Sequence, residues 1–295
     1  MNTSPKARSC QQYNVDESPK RIESGHIVLE CYKVEKHLKK NDYGVVALGT
    51  DLRKNRQVVI KQFLEDPQAP EYVSYRSMFK QGGLLRIPHP LVVNPIALGY
   101  EGGGWFLIRP YVKGIDLMTV VASQSTVLPI DVVTSIITCL AEAVSAIHAK
   151  GIVHRDLKPS NIILADGNIP KLIDLETCKD LRKTAETTSN VIVVGSPGYM
   201  APECYSNPGM EDIRSDLYAL GIILYFMLTK RLPFRFRNTD CKTLKERTLY
   251  NTLIPPSVFN ACVTNKLDDA CRILLAKCPA DRFQTAEAFC TYLRR

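Results

Sequence analysis

The chain lacks any apolar run long enough to cross a bilayer. Its longest, "LYALGIILYFML" at 217–228, falls short of the roughly 20 residues that a spanning helix needs. The N-terminus lacks an apolar segment of the signal-peptide kind. Cysteine pairs are missing too: the ten cysteines include no C-x-x-C, and several sit inside apolar helical patterns. That spacing argues against a metal knuckle or a disulfide framework and for free thiols. No cluster of one charge stands out. The net charge is +8, but Lys and Arg are dispersed. The surface therefore reads as solvated, with phosphate groups as one anionic class it would favour and no nucleic acid as partner. Internal repeats are absent. The expectation is a soluble protein of the cytoplasm, or of another reducing compartment, with no membrane span and an oligomeric state left open.

What is present suits one large or bilobal domain: 295 residues, 45% hydrophobic and 23% charged. Residues 1–25 are rich in Ser, Pro, Lys, Gln and Asn without an apolar period, and read as a mobile tail. From Ile27 to Phe63 the runs "YKVEKHL", "GVVALGTD" and "RQVVIKQF" are strand-like and separated by turn residues, which suggests an antiparallel meander. "EYVSYRSMFKQGGLLRI" is weakly helical, interrupted at Gly82-Gly83, and two further strand-like runs follow, "VVNPIALGYE" and "GWFLIRPYV". Beyond Gly114 the character turns helical. Val133, Ile136, Ile137, Leu140, Val144 and Ile147 recur at helical spacing over 131–150, with Asp131 placed to cap the start and Gly151 to end it. "NIILADGNIPKLID" is two β-prone runs around Asp166-Gly167, a hairpin signal. Residues 177–200 read as a long loop, and 215–229, apolar on nearly every face, as a buried helix. A β-rich N-terminal third and a helical remainder suggest two lobes.

Six motifs then stand in a fixed order: "VVIK" at 58–61, "HRDLKPSN" at 154–161, "DLE" at 174–176, "GSPGYMAPE" at 195–203, "RSDLYALGIILYFML" at 214–228 and "DRF" at 281–283. From about Tyr32 to Leu293 the chain resembles a protein kinase of the serine/threonine type. The resemblance implies an α+β fold, bilobal and protein-kinase-like, with a small β-rich N-lobe at about 26–111 and a larger helical C-lobe at about 112–295. It implies ATP and Mg2+ as cofactors and a protein substrate bearing Ser or Thr. Phosphoryl transfer has a loose, charge-spread transition state, so such a site works by positioning and charge neutralisation. In the roles that the resemblance implies, Asp156 accepts or orients the proton of the attacking hydroxyl, and Lys158 meets the transferring phosphate. Asn161 and Asp174 hold the metal, and Lys61 holds the α- and β-phosphates. Leu38, Gly44, Val46 and Val59 would line the nucleotide, Ile163 would form its floor, the backbone of Pro110 and Val112 would meet the adenine edge, and Asp116 would bond the ribose. Glu203 and Arg282 resemble the family's buried ion pair. Asp216 resembles the aspartate that receives hydrogen bonds from the catalytic-loop backbone. Arg155 would hold a phosphate carried on Thr184, Thr187, Thr188 or Ser189.

The sequence departs from the family pattern at four places. The glycine-rich loop, "LKKNDYGVV", keeps only Gly44, with Lys39 and Asn41 where the first two glycines would stand. Bulkier residues limit backbone approach to phosphates, and Lys39 or Lys40 offers a cation instead. The glutamate that partners the phosphate-holding lysine is missing where Lys80, Gln81 and Gly82 stand, so Asp174 and the nucleotide phosphates are the expected partners of Lys61, with Glu71 a third. Arg109 occupies the back of the pocket, where an apolar residue is usual. "DLE" keeps the metal-binding aspartate and loses the glycine. The alternative these departures allow is a pseudokinase acting as a binding or scaffold module; a small-molecule kinase fits less well, because "GSPGYMAPE" resembles a protein-substrate segment.

Overall fold

Alternation of apolar and polar residues builds the N-terminal sheet. The computed structural model describes residues 21–41, 44–64, 85–182, 195–207, 209–234 and 241–295. They divide into two compact units: one holds the described residues up to 64 together with 96–109, the other holds 85–95 and everything from 110 onward. The units divide between 109 and 110, and residues 85–95 belong to the helical unit. There Val92 bridges Leu172, the Leu172 N–H donates to the Leu91 carbonyl at 2.7 Å, and Ile87, Leu91 and Val92 enter the main core.

In the first unit, β1 (Ile27–Val28), β2 (Tyr32–Asn41), β3 (Gly44–Asp51), β4 (Arg56–Leu64), β5 (Ala97–Glu101) and β6 (Gly104–Pro110) form one sheet in the order β1-β2-β3-β4-β6-β5. The expected meander is present, and "VVNPIALGYE" contributes a strand only from Ala97. Val34, Val45, Ala47, Val58 and Ile60 alternate onto the face that carries the core. Cross-strand partners share a face, so the pairs Val46↔Lys61 and Leu48↔Val59 lie on the other one. Asp51 closes the β3–β4 turn by accepting from Arg53 N and Arg56 Nε, both at 3.2 Å.

The described end of the expected tail is part of this unit. Ile22 and Val28 are each only 4% exposed and belong to the core. Ile22 N donates to Gln62 Oε1 at 2.9 Å, the His37 ring bonds the Ile22 carbonyl at 2.9 Å, and Gly25 N donates to the Val34 carbonyl at 2.8 Å. Residues 1–20, the loop tip at 42–43 and the weakly helical segment with Glu71 and Lys80–Gly82 lie outside the described residues.

The second unit is built on helices. These are α1 (Leu117–Ser123), α2 (Ile130–His148), α3 (Pro202–Ser206), α4 (Ile213–Thr229), α5 (Cys241–Tyr250), α6 (Asn265–Leu274) and α7 (Ala286–Arg294). Short strands β7 (Ile115–Asp116), β9 (Ile162–Ala165) and β10 (Ile169–Leu172) make one small sheet, and β8 (Ile152–Val153) pairs with β11 (Lys179–Asp180). The β9–β10 hairpin turns at Asp166–Asn168, where Gly167 has φ 73°. Every residue of α4 from Ser215 to Thr229 is buried. A Cβ on Gly221 would stand 2.7 Å from Leu274 Cβ, so only glycine lets α4 and α6 approach this closely. The helix expected at 131–150 runs 130–148, with Pro129 at its N-cap. Asp131 does not cap it; the residue lies inside the first turn, where its charge still favours the dipole. Gly151, at φ 70°, follows the helix end and donates its N–H to the His148 carbonyl. By length and composition α2 could cross a membrane, but its apolar stripe packs into the core beside α4 and α7.

Arg282 and Glu203 form the expected ion pair, with two bonds of 2.7 Å. The Arg282 side chain is wholly buried, and its remaining donors reach the carbonyls of Arg214, Ala276 and Lys277. Ser215 Oγ donates to Glu203 Oε1 at 2.8 Å. Removing one partner strands a buried charge, so Glu203→Ala is expected to cost about 3–5 kcal/mol. Urea unfolding checks this; a loss under about 1 kcal/mol, the value of an exposed pair, would remove the pair from the fold's essential contacts.

Candidate active site

The loop at 154–161 is held by its main chain. Asp216, near the start of α4 and 1% exposed, accepts from the backbone N–H of His154 at 2.8 Å and of Arg155 at 3.0 Å. His148 Nε2, from the end of α2, donates to the same carboxylate at 2.8 Å. Burial opposes the charge on Asp216, but the His148 hydrogen bond, the proximity of His154 and the backbone donors outweigh it and hold the carboxyl below its ordinary value. Arg155 has φ 69° and Asp174 has φ 66°. A left-handed backbone costs a non-glycine residue roughly 1–2 kcal/mol, and here it sits on both sides of the stretch from Asp156 to Asn161.

Asp156 is the hub. Lys158 Nζ lies 2.7 Å from Asp156 Oδ2. Asn161 Nδ2 donates to the Asp156 carbonyl at 2.9 Å and to Oδ2 at 3.0 Å. Both acceptors can only accept, which fixes the amide orientation and leaves Asn161 Oδ1 as an acceptor. The Ile173 N–H donates to the Asn161 carbonyl at 2.9 Å, which sets Asp174 beside Asn161. An amide oxygen and a carboxylate are a donor set of the kind that a hard cation takes.

Sequence reasoning missed Ser196. Its hydroxyl donates to Asp156 Oδ1 at 2.7 Å and accepts from Lys158 Nζ at 2.6 Å. The available signal was a hydroxyl residue directly after Gly195. Gly195 has φ 130°, and a Cβ there would come within 3.0 Å of the Arg155 carbonyl, so glycine lets the segment meet the catalytic loop. Thr177 locks the other side: its Oγ1 donates to the His154 carbonyl at 2.8 Å, while Arg155 Nε donates to the Thr177 carbonyl at 2.6 Å. Arg155 also lines a small cavity with Tyr199, Cys204 and the buried Glu211. The candidate phosphate acceptors Thr184, Thr187, Thr188 and Ser189 lie outside the described residues.

The nucleotide-binding candidates fall in both units. In the second, Asp116 pairs with Ile163 across β7 and β9, and Ile163 is half-buried. The Asp116 carboxylate caps α1, accepting from Thr119 N at 2.9 Å and Thr119 Oγ1 at 2.8 Å. Sequence reasoning did not foresee that role. Pro110 and Val112, also half-buried, precede Gly114, where a Cβ would stand 2.3 Å from the Leu164 carbonyl. In the first unit, Val46, Val59 and Lys61 share the sheet face opposite the core, and Leu38 is 49% exposed. Gly44 has a packing reason of its own: a Cβ there would stand 2.3 Å from the Gln62 carbonyl. Arg109 is buried at the end of β6, and Glu176 is buried beside Asp174.

Asp216 makes a prediction about pH. With its folded pKa depressed, its contribution is complete above the ordinary carboxyl value of about 3.9 and is lost as pH falls through the lower folded value. Between the two, the unfolded chain binds more protons, so stability rises with pH. Asp216→Asn should flatten that acid limb and cost about 1–3 kcal/mol at neutral pH. Urea midpoints collected from pH 2 to 7 check it; an unchanged acid limb would show that the carboxylate does not carry this dependence.

Residues 32–292 match the protein kinase domain family. The chain is 32% identical over 263 residues to the serine/threonine-protein kinase Pkn1 of Myxococcus xanthus, covering 88% of this chain and 37% of that protein. It is 31% identical over 250 residues to the serine/threonine-protein kinase PknB of Mycolicibacterium smegmatis, covering 82% and 39%. The chain thus spans between a third and two fifths of the length of these curated relatives. The crystal structure of the Mycobacterium tuberculosis PknI kinase domain superposes with a TM-score of 0.71 at 24% identity, covering 93% of this chain and 99% of that one. The fold is therefore that of a protein kinase, and the chain belongs to the protein kinase domain family.

Proposed function

We propose that the chain transfers the terminal phosphoryl group of ATP to serine or threonine hydroxyls of protein substrates, and that it does so in the cytoplasm. The observation that carries this reading is the closed constellation of Asp156, Lys158, Asn161 and Ser196. A new bond forms between the substrate oxygen and the phosphorus, the bond from that phosphorus to the ADP oxygen breaks, and Asp156 receives the hydroxyl proton. Lys158 sets a positive charge where the equatorial phosphate oxygens gather charge. Ser196 keeps Asp156 and Lys158 in register, and Asp216 holds the loop that presents both. Asn161 Oδ1 and the Asp174 carboxylate would hold magnesium, which supplies charge neutralisation along the phosphates. Lys61, on the apolar face with Val46 and Val59, would hold the phosphates, and Leu38 and Gly44 are the other nucleotide-binding candidates of that unit; in the helical unit the candidates are Ile163, Pro110, Val112 and Asp116. The serine/threonine preference is supported by Lys158 within "LKPSN" and by the printed names of the relatives.

A binding module on an inactive kinase fold would have no need of this constellation, and the intact residues argue against it. The departure at the glycine loop bears on affinity more than on chemistry, because Asp156 and Lys158, the groups that would meet the hydroxyl and the phosphorus, lie outside it.

Asp156→Asn keeps the shape but removes the proton acceptor. Transfer from labelled ATP should fall by at least about 100-fold, within the range for a lost general base, with an unchanged melting temperature. Ser196→Ala should lower kcat about tenfold, in keeping with the cost of misplacing reacting groups, and Ser196→Thr should restore it. An Asp156→Asn protein with wild-type turnover would return the chain to the binding-module reading.

A further inference from the structure

The register of the N-terminal sheet distinguishes two neighbouring lysines. Lys39 on β2 pairs with Val46 on β3, and Val46 pairs with Lys61 on β4. Cross-strand partners share a face, so Lys39, Val46 and Lys61 form one row on the face opposite the core. Lys40 pairs with Val45, and Val45 with Gln62. That row lies on the core face, where Val45 and Gln62 are 1% and 2% exposed. Lys36 reaches the outer face one row further on, opposite Leu48 and Val59.

Lys39 also stands where the family pattern has a glycine. A glycine there lets backbone N–H groups approach phosphates, and a lysine blocks that approach while adding charge. Lys39 and Lys61 are separated by two strand spacings, about 10 Å. Lys39 is exposed, and no acid among the described residues forms an ion pair with it.

We infer that Lys39 is a phosphate-binding residue, a side-chain cation that stands in for the missing glycine cradle and works from the same sheet face as Lys61. The inference rests on the nucleotide reading above and sharpens it. The competing role is edge protection. Residues 22–28 cover β2 only as far as His37, and lysines often guard an open strand flank. Edge protection would treat Lys39 and Lys40 alike and ignore the ligand.

Calorimetric titration with Mg-ADP and with adenosine separates the two roles. Lys39→Ala should weaken ADP binding about fivefold, the size of an exposed charge contact, and leave adenosine affinity as in wild type. Lys39→Arg should retain most of the ADP affinity, and Lys40→Ala should match wild type with both ligands. If wild type binds both ligands and Lys39→Ala changes neither, the assignment of Lys39 falls while the nucleotide site stands. Equal losses in Lys39→Ala and Lys40→Ala would overturn it as well, in favour of a general surface-charge effect. If wild type binds neither ligand, the nucleotide reading falls and the role of Lys39 falls with it.

Discussion

One buried carboxylate organises the helical unit. Asp216 receives a side chain from the end of α2 and two backbone N–H groups from the catalytic loop, while sitting in the first turn of α4. A charge this deep is tolerable only when its acceptor sites are filled. The requirement works in both directions. The loop gives Asp216 its donors, and Asp216 fixes the loop's backbone, including the left-handed turn at Arg155. Helix packing is thereby converted into the placement of Asp156.

Around that anchor the site is closed by short-range polar contacts rather than by apolar packing. Both Asp156 oxygens are engaged, one with Ser196 and the other with Lys158 and Asn161. These contacts come from two stretches of chain, 156–161 and the segment at Ser196, and Gly195 and Gly114 sit where a side chain would collide with a neighbouring carbonyl. Left-handed backbone recurs elsewhere in the unit, at Asn168 and Lys230, and the rigidity comes from a helix buried on every side and the Glu203–Arg282 pair.

Much of this was legible in the sequence because its signals are local. Strand alternation, the Asp166-Gly167 turn and the apolar run at 217–228 of α4 each follow from residues close in the chain. The residues of "HRDLKPSN" also meet one another within a single loop. What escaped are features made by distant partners. Ser196 is 40 residues from Asp156. Ile22 lies in a polar stretch, yet it bonds Gln62, another 40 residues away. The cap that Asp116 makes on α1 depends on where a short helix happens to start. Asp131 falls inside its helix rather than at the cap, since helix ends shift by a residue or two without any change in apolar period.

The segment from Ile22 to Val28 has a practical consequence. The family match begins at residue 32, and a chain trimmed to start there would keep every motif. It would also lose two buried side chains, Ile22 and Val28, each worth about 1.5–3 kcal/mol of burial. The Val34 carbonyl would lose the bond from Gly25 N, and the Gln62 side chain the bond from Ile22 N, and the flank of β2 would stand open along its length. Open flanks recruit other strands, so the shortened protein would self-associate through β2. The limits of the homologous domain and the limits of the folding unit are therefore different, and the second set is the one that governs solubility.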